Sequence, residues 1–139
     1  MATTDLTAQS FEKTVLDNDI VLVDFWASWC GPCRQFAPVY DAASSSDDNE
    51  GIVFGKVDTE AEQSLASAAN ITSIPTLMAF KEGVLVFAQP GALPQSALQD
   101  VIQQVKDLDM APIKEQIAAE AAGHGQPQGA PEQGGQPQA

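Results

Sequence analysis

Ile20-Val21-Leu22-Val23-Asp24-Phe25-Trp26 runs directly into Ala27-Ser28-Trp29-Cys30-Gly31-Pro32-Cys33. The first seven residues read as a central strand, because a near-continuous apolar run of this length fits a strand covered on both faces. Cys33 to about Ser45 reads as a helix, with Pro38 placed to kink it. A strand that hands a Cys-x-x-Cys to a helix start makes one thiol nucleophilic. The helix N-terminus carries partial positive charge, which favours thiolate over thiol. The second thiol is then placed to attack any mixed disulfide that the first one forms. Cys30 and Cys33 are the only two cysteines of the chain.

Before this stretch, Thr7 reads as an N-cap for a helix over Ala8 to Leu16, with Phe11, Val15 and Leu16 on one face. Asp17-Asn18-Asp19 ends it. After the stretch, Ser44 to Asn49 is a polar loop, Ile52 to Asp58 a second strand, and Ala61 to Ala69 an Ala-rich helix. Pro75 opens a strand over Thr76 to Phe80. Lys81-Glu82-Gly83 turns it, and Val84 to Phe87 returns, so the two form an antiparallel hairpin. Pro94 fits the N1 position of a helix to about Asp107, with Leu98, Val101, Ile102 and Val105 at helical spacing. The order helix, strand, helix, strand, helix, hairpin, helix predicts an α/β fold: three layers around a mixed central sheet.

The chain has 139 residues and is 44% hydrophobic, enough for one domain with a real core. That domain is expected over residues 1–107. A short helix is expected within 108–122, where Ile113 and Ile117 stand four apart. Residues 123–139 read as a disordered tail, because thirteen of these 17 are Gly, Gln or Pro and cannot offset the entropy of ordering. A net charge of -13 argues against nucleic acid and against an anionic membrane surface. No apolar run approaches the roughly 20 residues of a membrane span. The first ten residues carry neither a basic nor an apolar signal-peptide region, so a reducing cytoplasm is the expected setting. A structural zinc site usually needs four ligands, and beyond the two cysteines the chain offers a single histidine, His124, in the tail. No metal is therefore expected, and a cysteine pair that carries the electrons itself needs no cofactor.

Taken together, Val23 to Arg34, then Lys56 and Asp58, Ile74-Pro75-Thr76, Phe80-Lys81-Glu82-Gly83 and Gly91-Ala92 closely resemble the thioredoxin family, in family order. The resemblance covers roughly Leu6 to Val105. It implies a central sheet flanked by four helices, in agreement with the pattern above. Arg34 stands where many members carry Lys. Pro90 stands where a small aliphatic residue is usual. Residues 108–139 lie beyond the family's usual end.

The resemblance and the residue chemistry together nominate the site. Cys30 is the nucleophile and the more exposed thiol; Cys33 is the resolving thiol. Gly31-Pro32 sets the poise of the pair. Proline removes an amide donor, so fewer hydrogen bonds hold a thiolate at Cys30 and the dithiol is the better reductant. Asp24, inside an apolar strand, is read as buried rather than as a strand-edge carboxylate. Its raised pKa would suit a proton acceptor for Cys33, directly or through a water. Lys56 is similar to the family lysine near that carboxylate; an ordinary surface lysine is the competing reading. Sequence statistics alone predict a trans Ile74–Pro75 bond, whereas the resemblance implies cis, packed against the cysteines. Trp29, Gly31, Pro32, Ile74, Pro75, Gly91 and Ala92 resemble the family's apolar docking surface, with ordinary surface and turn positions as the alternative. Ile74 would offer its backbone to an extended substrate. Trp26 is expected to support the motif from below. Phe25, Phe54, Val57, Leu77 and Phe80 are expected to be core.

The function expected is a general protein disulfide reductase, active in electron transport and cell redox homeostasis. Its partners would be disulfide-containing proteins and, by resemblance, a flavin- and NADPH-dependent thioredoxin reductase. It would act as a monomer. Two other readings stand beside it: an oxidant or isomerase of an oxidising compartment, and a non-enzymatic binding or chaperone-like subunit.

Overall fold

The computed structural model describes residues 3–123. These fall into two compact units that divide between Leu108 and Asp109. The first unit contains β1 (Thr3–Asp5), α1 (Phe11–Asp17), β2 (Ile20–Trp26), α2 (Gly31–Ser44), a 3-10 turn (Asp47–Asn49), β3 (Val53–Asp58), α3 (Gln63–Ala68), β4 (Thr76–Lys81), β5 (Val84–Pro90) and α4 (Gln95–Asp107). The sheet order is β1-β3-β2-β4-β5. β1 and β2 run parallel to β3, while β2–β4 and β4–β5 are antiparallel. This is the expected mixed sheet.

Period-two alternation along β2 explains the layers. Ile20 and Leu22 join Phe36 and Tyr40 of α2 and Leu98, Ile102 and Val105 of α4 in one core. Val21, Val23 and Phe25 join Val15 of α1, with Phe11, Leu65 and Ala69 packed around them, in the other. A strand buried on both faces must be apolar throughout, and Asp24 is the exception. Alternation puts it on the α2 face, in series with Ile20 and Leu22. β3 adds its own constraint. A Cβ on Gly55 would lie 2.5 Å from a Leu6 side-chain carbon and 3.3 Å from the Leu22 carbonyl oxygen, so this position takes glycine.

Several expectations are corrected. The strand β1 has no counterpart in the sequence pattern, because three polar residues, Thr3-Thr4-Asp5, carry no apolar alternation. α1 begins at Phe11 rather than Ala8. Thr7 and Ser10 instead close a turn on each other, Thr7 N to Ser10 Oγ at 3.0 Å and Ser10 N to Thr7 O at 3.1 Å. α2 begins at Gly31 and passes through Pro38. Pro94 is the N-cap of α4, one position before N1. β5 continues to Pro90, and Phe80 is half-buried rather than core. The hairpin turns on Glu82 (φ 52°) and Gly83 (φ 81°), the double positive φ of a tight two-residue connection.

The second unit is the helix α5 (Met110–Gly123), which opens with Asp109 Oδ1 accepting the Ala111 amide at 3.0 Å. The helix expected within 108–122 ends one residue past that span, at Gly123. The tail expected over 123–139 lies, from His124 on, outside the described residues.

Candidate active site

The end of β2 and the start of α2 build the site. Cys30 is the N-cap of α2, in extended conformation, and its Sγ accepts the Cys33 amide at 3.1 Å. Gly31 and Pro32 fill the first helical positions. Pro32 costs nothing there, because its missing N–H would have had no intrahelical partner. Cys30 and Cys33 are joined as a disulfide with their Cα atoms 5.2 Å apart. A helix-terminal amide aimed at Cys30 Sγ is the geometry that favours negative charge on that sulfur once the bond is reduced. The expected difference in exposure is absent: both cysteines are 4% exposed, packed with Ala27 and against Trp26 and Ile74.

The β4 side of the site comes from Ile74–Pro75, whose peptide bond is cis, not trans as sequence statistics alone predict. The Ile74 carbonyl oxygen lies 3.6 Å from Cys30 Sγ. Pro75 is buried, and its carbonyl accepts the Gly91 amide at 2.7 Å. Three chain segments, 27–33, 73–76 and 90–92, are thus brought together. Trp29 is 65% exposed at their edge. Pro32, Gly91 and Ala92 are also exposed or partly so, as are Ile74 and Gly31. None of these side chains is charged, and the same segments also expose Ser28 and Ser73.

Behind the disulfide, Asp24 is 1% exposed and its Oδ1 has no hydrogen-bond partner among the described residues. Burial pushes its carboxyl up to about 7, and the nearby Lys56 charge opposes the shift. The parallel register pairs Asp24 with Lys56 directly, which places both side chains on one face. Lys56 Nζ stands 4.9 Å from the centroid of the Trp26 ring, a cation–π distance. Asp24, Lys56, Trp26, Cys33 and Arg34 line a common cavity of about 100 Å³. The Trp26 indole Nε1 is likewise buried and unpartnered among the described residues. The Tyr40 hydroxyl donates to Gly55 O at 2.8 Å, and burial followed by the Asp24 charge raises its pKa well above the ordinary value.

Two contacts at the site were not legible in the sequence. Trp29 Nε1 donates to Glu60 Oε2 at 3.2 Å, and Arg34 Nη1 donates to Ser28 O at 2.9 Å. Glu60 lies 31 positions from Trp29, in the connection between β3 and α3. No group of His, Cys, Asp and Glu suited to a metal ion occurs among the described residues. No helix among them is long and apolar enough to cross a membrane.

Comparison with known proteins gives concordant results. The family model described as Thioredoxin matches residues 2–104. The chain is 55% identical over 121 residues to "Putative thioredoxin 2" of Streptomyces coelicolor, covering 87% of this chain and 89% of that protein. It is 42% identical over 105 residues to "Thioredoxin" of Porphyra purpurea, covering 75% and 97%. Among solved structures, a point-mutant thioredoxin from Halobacterium salinarum superposes with a TM-score of 0.70 at 33% identity, covering 78% of this chain and 94% of that one. The thioredoxin of Plasmodium falciparum superposes at 0.67 with 36% identity, covering 73% and 98%.

Proposed function

The chain belongs to the thioredoxin family, and from that premise we propose how its individual residues divide the work of disulfide reduction. The activity itself follows from the family and the Cys30–Cys33 pair: a thiol–disulfide oxidoreductase that reduces protein disulfides. The oxidant, isomerase and purely binding readings are not favoured. Disulfide-containing proteins and a reductase are its partners in general terms.

In the proposed cycle the Cys30 thiolate attacks one sulfur of a substrate disulfide. A Cys30–substrate disulfide forms, and the other substrate sulfur leaves as a thiolate and takes a proton. Cys33 then gives its proton to the Asp24 carboxylate, directly or through a water in the shared cavity, and attacks Cys30 Sγ. The Cys30–Cys33 disulfide forms and the second substrate thiolate departs. Two electrons have passed from the dithiol to the substrate. The Cys33 amide at 3.1 Å from Cys30 Sγ is the observation that carries this assignment, because it favours Cys30 as the thiolate.

The other roles belong to the same proposal. Lys56 moderates the carboxyl of Asp24, and Trp26 supports the motif. Trp29, Gly31, Pro32, Ile74, Pro75, Gly91 and Ala92 form the docking surface, with the Ile74 backbone pairing to an extended substrate segment. A flavin- and NADPH-dependent thioredoxin reductase returns the dithiol. One chain carries both thiols, so a monomer suffices. Residues 1–107 form the catalytic domain, and 108–139 are an extension to it. A Gly-Pro reductant suits a reducing compartment, which supports a cytoplasmic setting.

The test is the equilibrium potential of the Cys30–Cys33 pair in glutathione or dithiothreitol buffers. A value more negative than the cytosolic glutathione couple, about -240 mV, is expected. A value well above it would reverse the direction of electron flow.

A further inference from the structure

The loop after β3 presents a carboxylate that grips the most exposed aromatic ring of the site. Trp29 Nε1 donates to Glu60 Oε2 at 3.2 Å while 65% of Trp29 faces solvent. A surface carboxylate normally contributes little, because ordering its side chain costs about what one bond returns. Here the backbone that carries it is already ordered. Thr59 N and Oγ1 both donate to Trp26 O, at 2.9 and 3.0 Å. The Glu60 amide donates to Asp58 Oδ1 at 2.9 Å, and the Glu60 carbonyl accepts Gln63 Nε2 at 3.2 Å. The chain on the Trp29 side is held too, since Ser28 O accepts Arg34 Nη1 at 2.9 Å. Two anchored segments therefore meet through one indole–carboxylate bond. The ring so held adjoins Cys30.

We propose that Glu60 is a positioning residue that holds the Trp29 indole in its substrate-docking pose, so that it governs affinity for extended protein disulfides and leaves sulfur exchange untouched. This rests on the reductase reading above. A free indole would rotate about two torsions and lose that freedom on each docking event. A ring held beforehand has less to lose, and the gain falls on binding. A small aromatic disulfide reaches Cys30 without covering Trp29 and should not register the difference.

The experiment compares wild-type protein with Glu60→Ala and Glu60→Gln, each recycled by NADPH and an excess of a bacterial-type flavin-dependent thioredoxin reductase, with the rate measured without the protein subtracted. The two probes are a disulfide-bonded peptide of about ten residues and 5,5′-dithiobis(2-nitrobenzoate). Glu60→Ala is expected to raise KM for the peptide about three- to tenfold, the worth of one net hydrogen bond, with kcat changed less than about twofold. Glu60→Gln keeps an acceptor oxygen and should restore KM. The Trp29 indole N–H resonance should move in Glu60→Ala and stay near its wild-type position in Glu60→Gln. An unchanged peptide KM in Glu60→Ala overturns the proposal while the reductase reading stands. So does an equal loss on both probes, which would make Glu60 part of the chemistry or of the fold. Wild-type protein that reduces neither probe overturns the reductase reading itself, and this proposal with it.

Discussion

The Gly91 amide donates to the Pro75 carbonyl at 2.7 Å and so fastens the β5–α4 loop to the segment beside the disulfide. Gly91 reaches this bond at φ 106°, a conformation that L side chains rarely adopt. No atom lies within 4 Å of where its Cβ would be. The penalty for a side chain is therefore backbone strain alone. Gly91→Ala is expected to lose about 1–2 kcal/mol in urea denaturation. Wild-type stability in that variant would show that the loop does not need its positive φ.

Asp24 should make stability fall with rising pH. Its folded-state value of about 7 lies above the ordinary 3.8, so between the two the folded chain binds the extra proton. Stability from this group is fully present below about pH 4, declines on the order of 1.4 kcal/mol per pH unit toward pH 7, and is level above. Asp24→Asn removes the buried charge. It should be more stable than wild type at pH 8, nearly equal to it at pH 4, and flatter between them. Thermal melts across this range decide it, and a wild-type curve that rises from pH 4 to 7 with an unaltered slope in Asp24→Asn would refute the assignment.

The same variant addresses the proposed proton transfer. A carboxylate accepts a proton only when ionised, so the resolving step in wild type should accelerate through about pH 7. Asp24→Asn should lack that inflection and be slower above it, by about 10²-fold if general-base catalysis has its usual size. Stopped-flow kinetics of mixed-disulfide decay measures the step. An inflection that persists in the variant assigns it to another group.

The two thiols should fail differently. Cys33→Ser retains the nucleophile and is expected to accumulate a covalent adduct with peptide disulfides, visible by mass spectrometry and released by dithiothreitol. Cys30→Ser should form none and turn over nothing. Adducts forming at Cys33 in the Cys30→Ser protein would exchange the proposed roles.

Lys81 is 7% exposed, and its Nζ donates to the carbonyls of Val105, Lys106 and Leu108 at 2.8, 2.9 and 2.9 Å. All three donors are used at the C-terminus of α4, where carbonyls run short of intrahelical partners; Val105 O also accepts the Leu108 amide at 3.2 Å. Lys81→Met keeps the stem but removes the ammonium from all three carbonyls, leaving Val105 O only its Leu108 amide, and should cost on the order of 2–4 kcal/mol. Lys13, paired with Asp17 in the open at 2.6 Å, supplies the control: Lys13→Met should cost nothing measurable. Equal stability of the two variants would remove the special role of Lys81.

Much of this protein is written locally in its chain. Ile20 to Trp26 reads as a strand buried on both faces because no polar residue but Asp24 interrupts it, and β2 has those bounds. Cys30 and Cys33 are tied to one helix turn by their spacing, so their proximity needed no long-range information. A run of short polar residues such as Thr3-Thr4-Asp5 becomes a strand only because β3 offers an unpaired edge. Lys81 reads as a turn residue until the sheet carries it under the end of α4. The cis Ile74–Pro75 bond, the pairing of Asp24 with Lys56 and the grip of Glu60 on Trp29 likewise arise only in the folded chain. Each depends on which segments the fold lays side by side. Strand register and loop packing set that, over separations that no periodicity in the chain records.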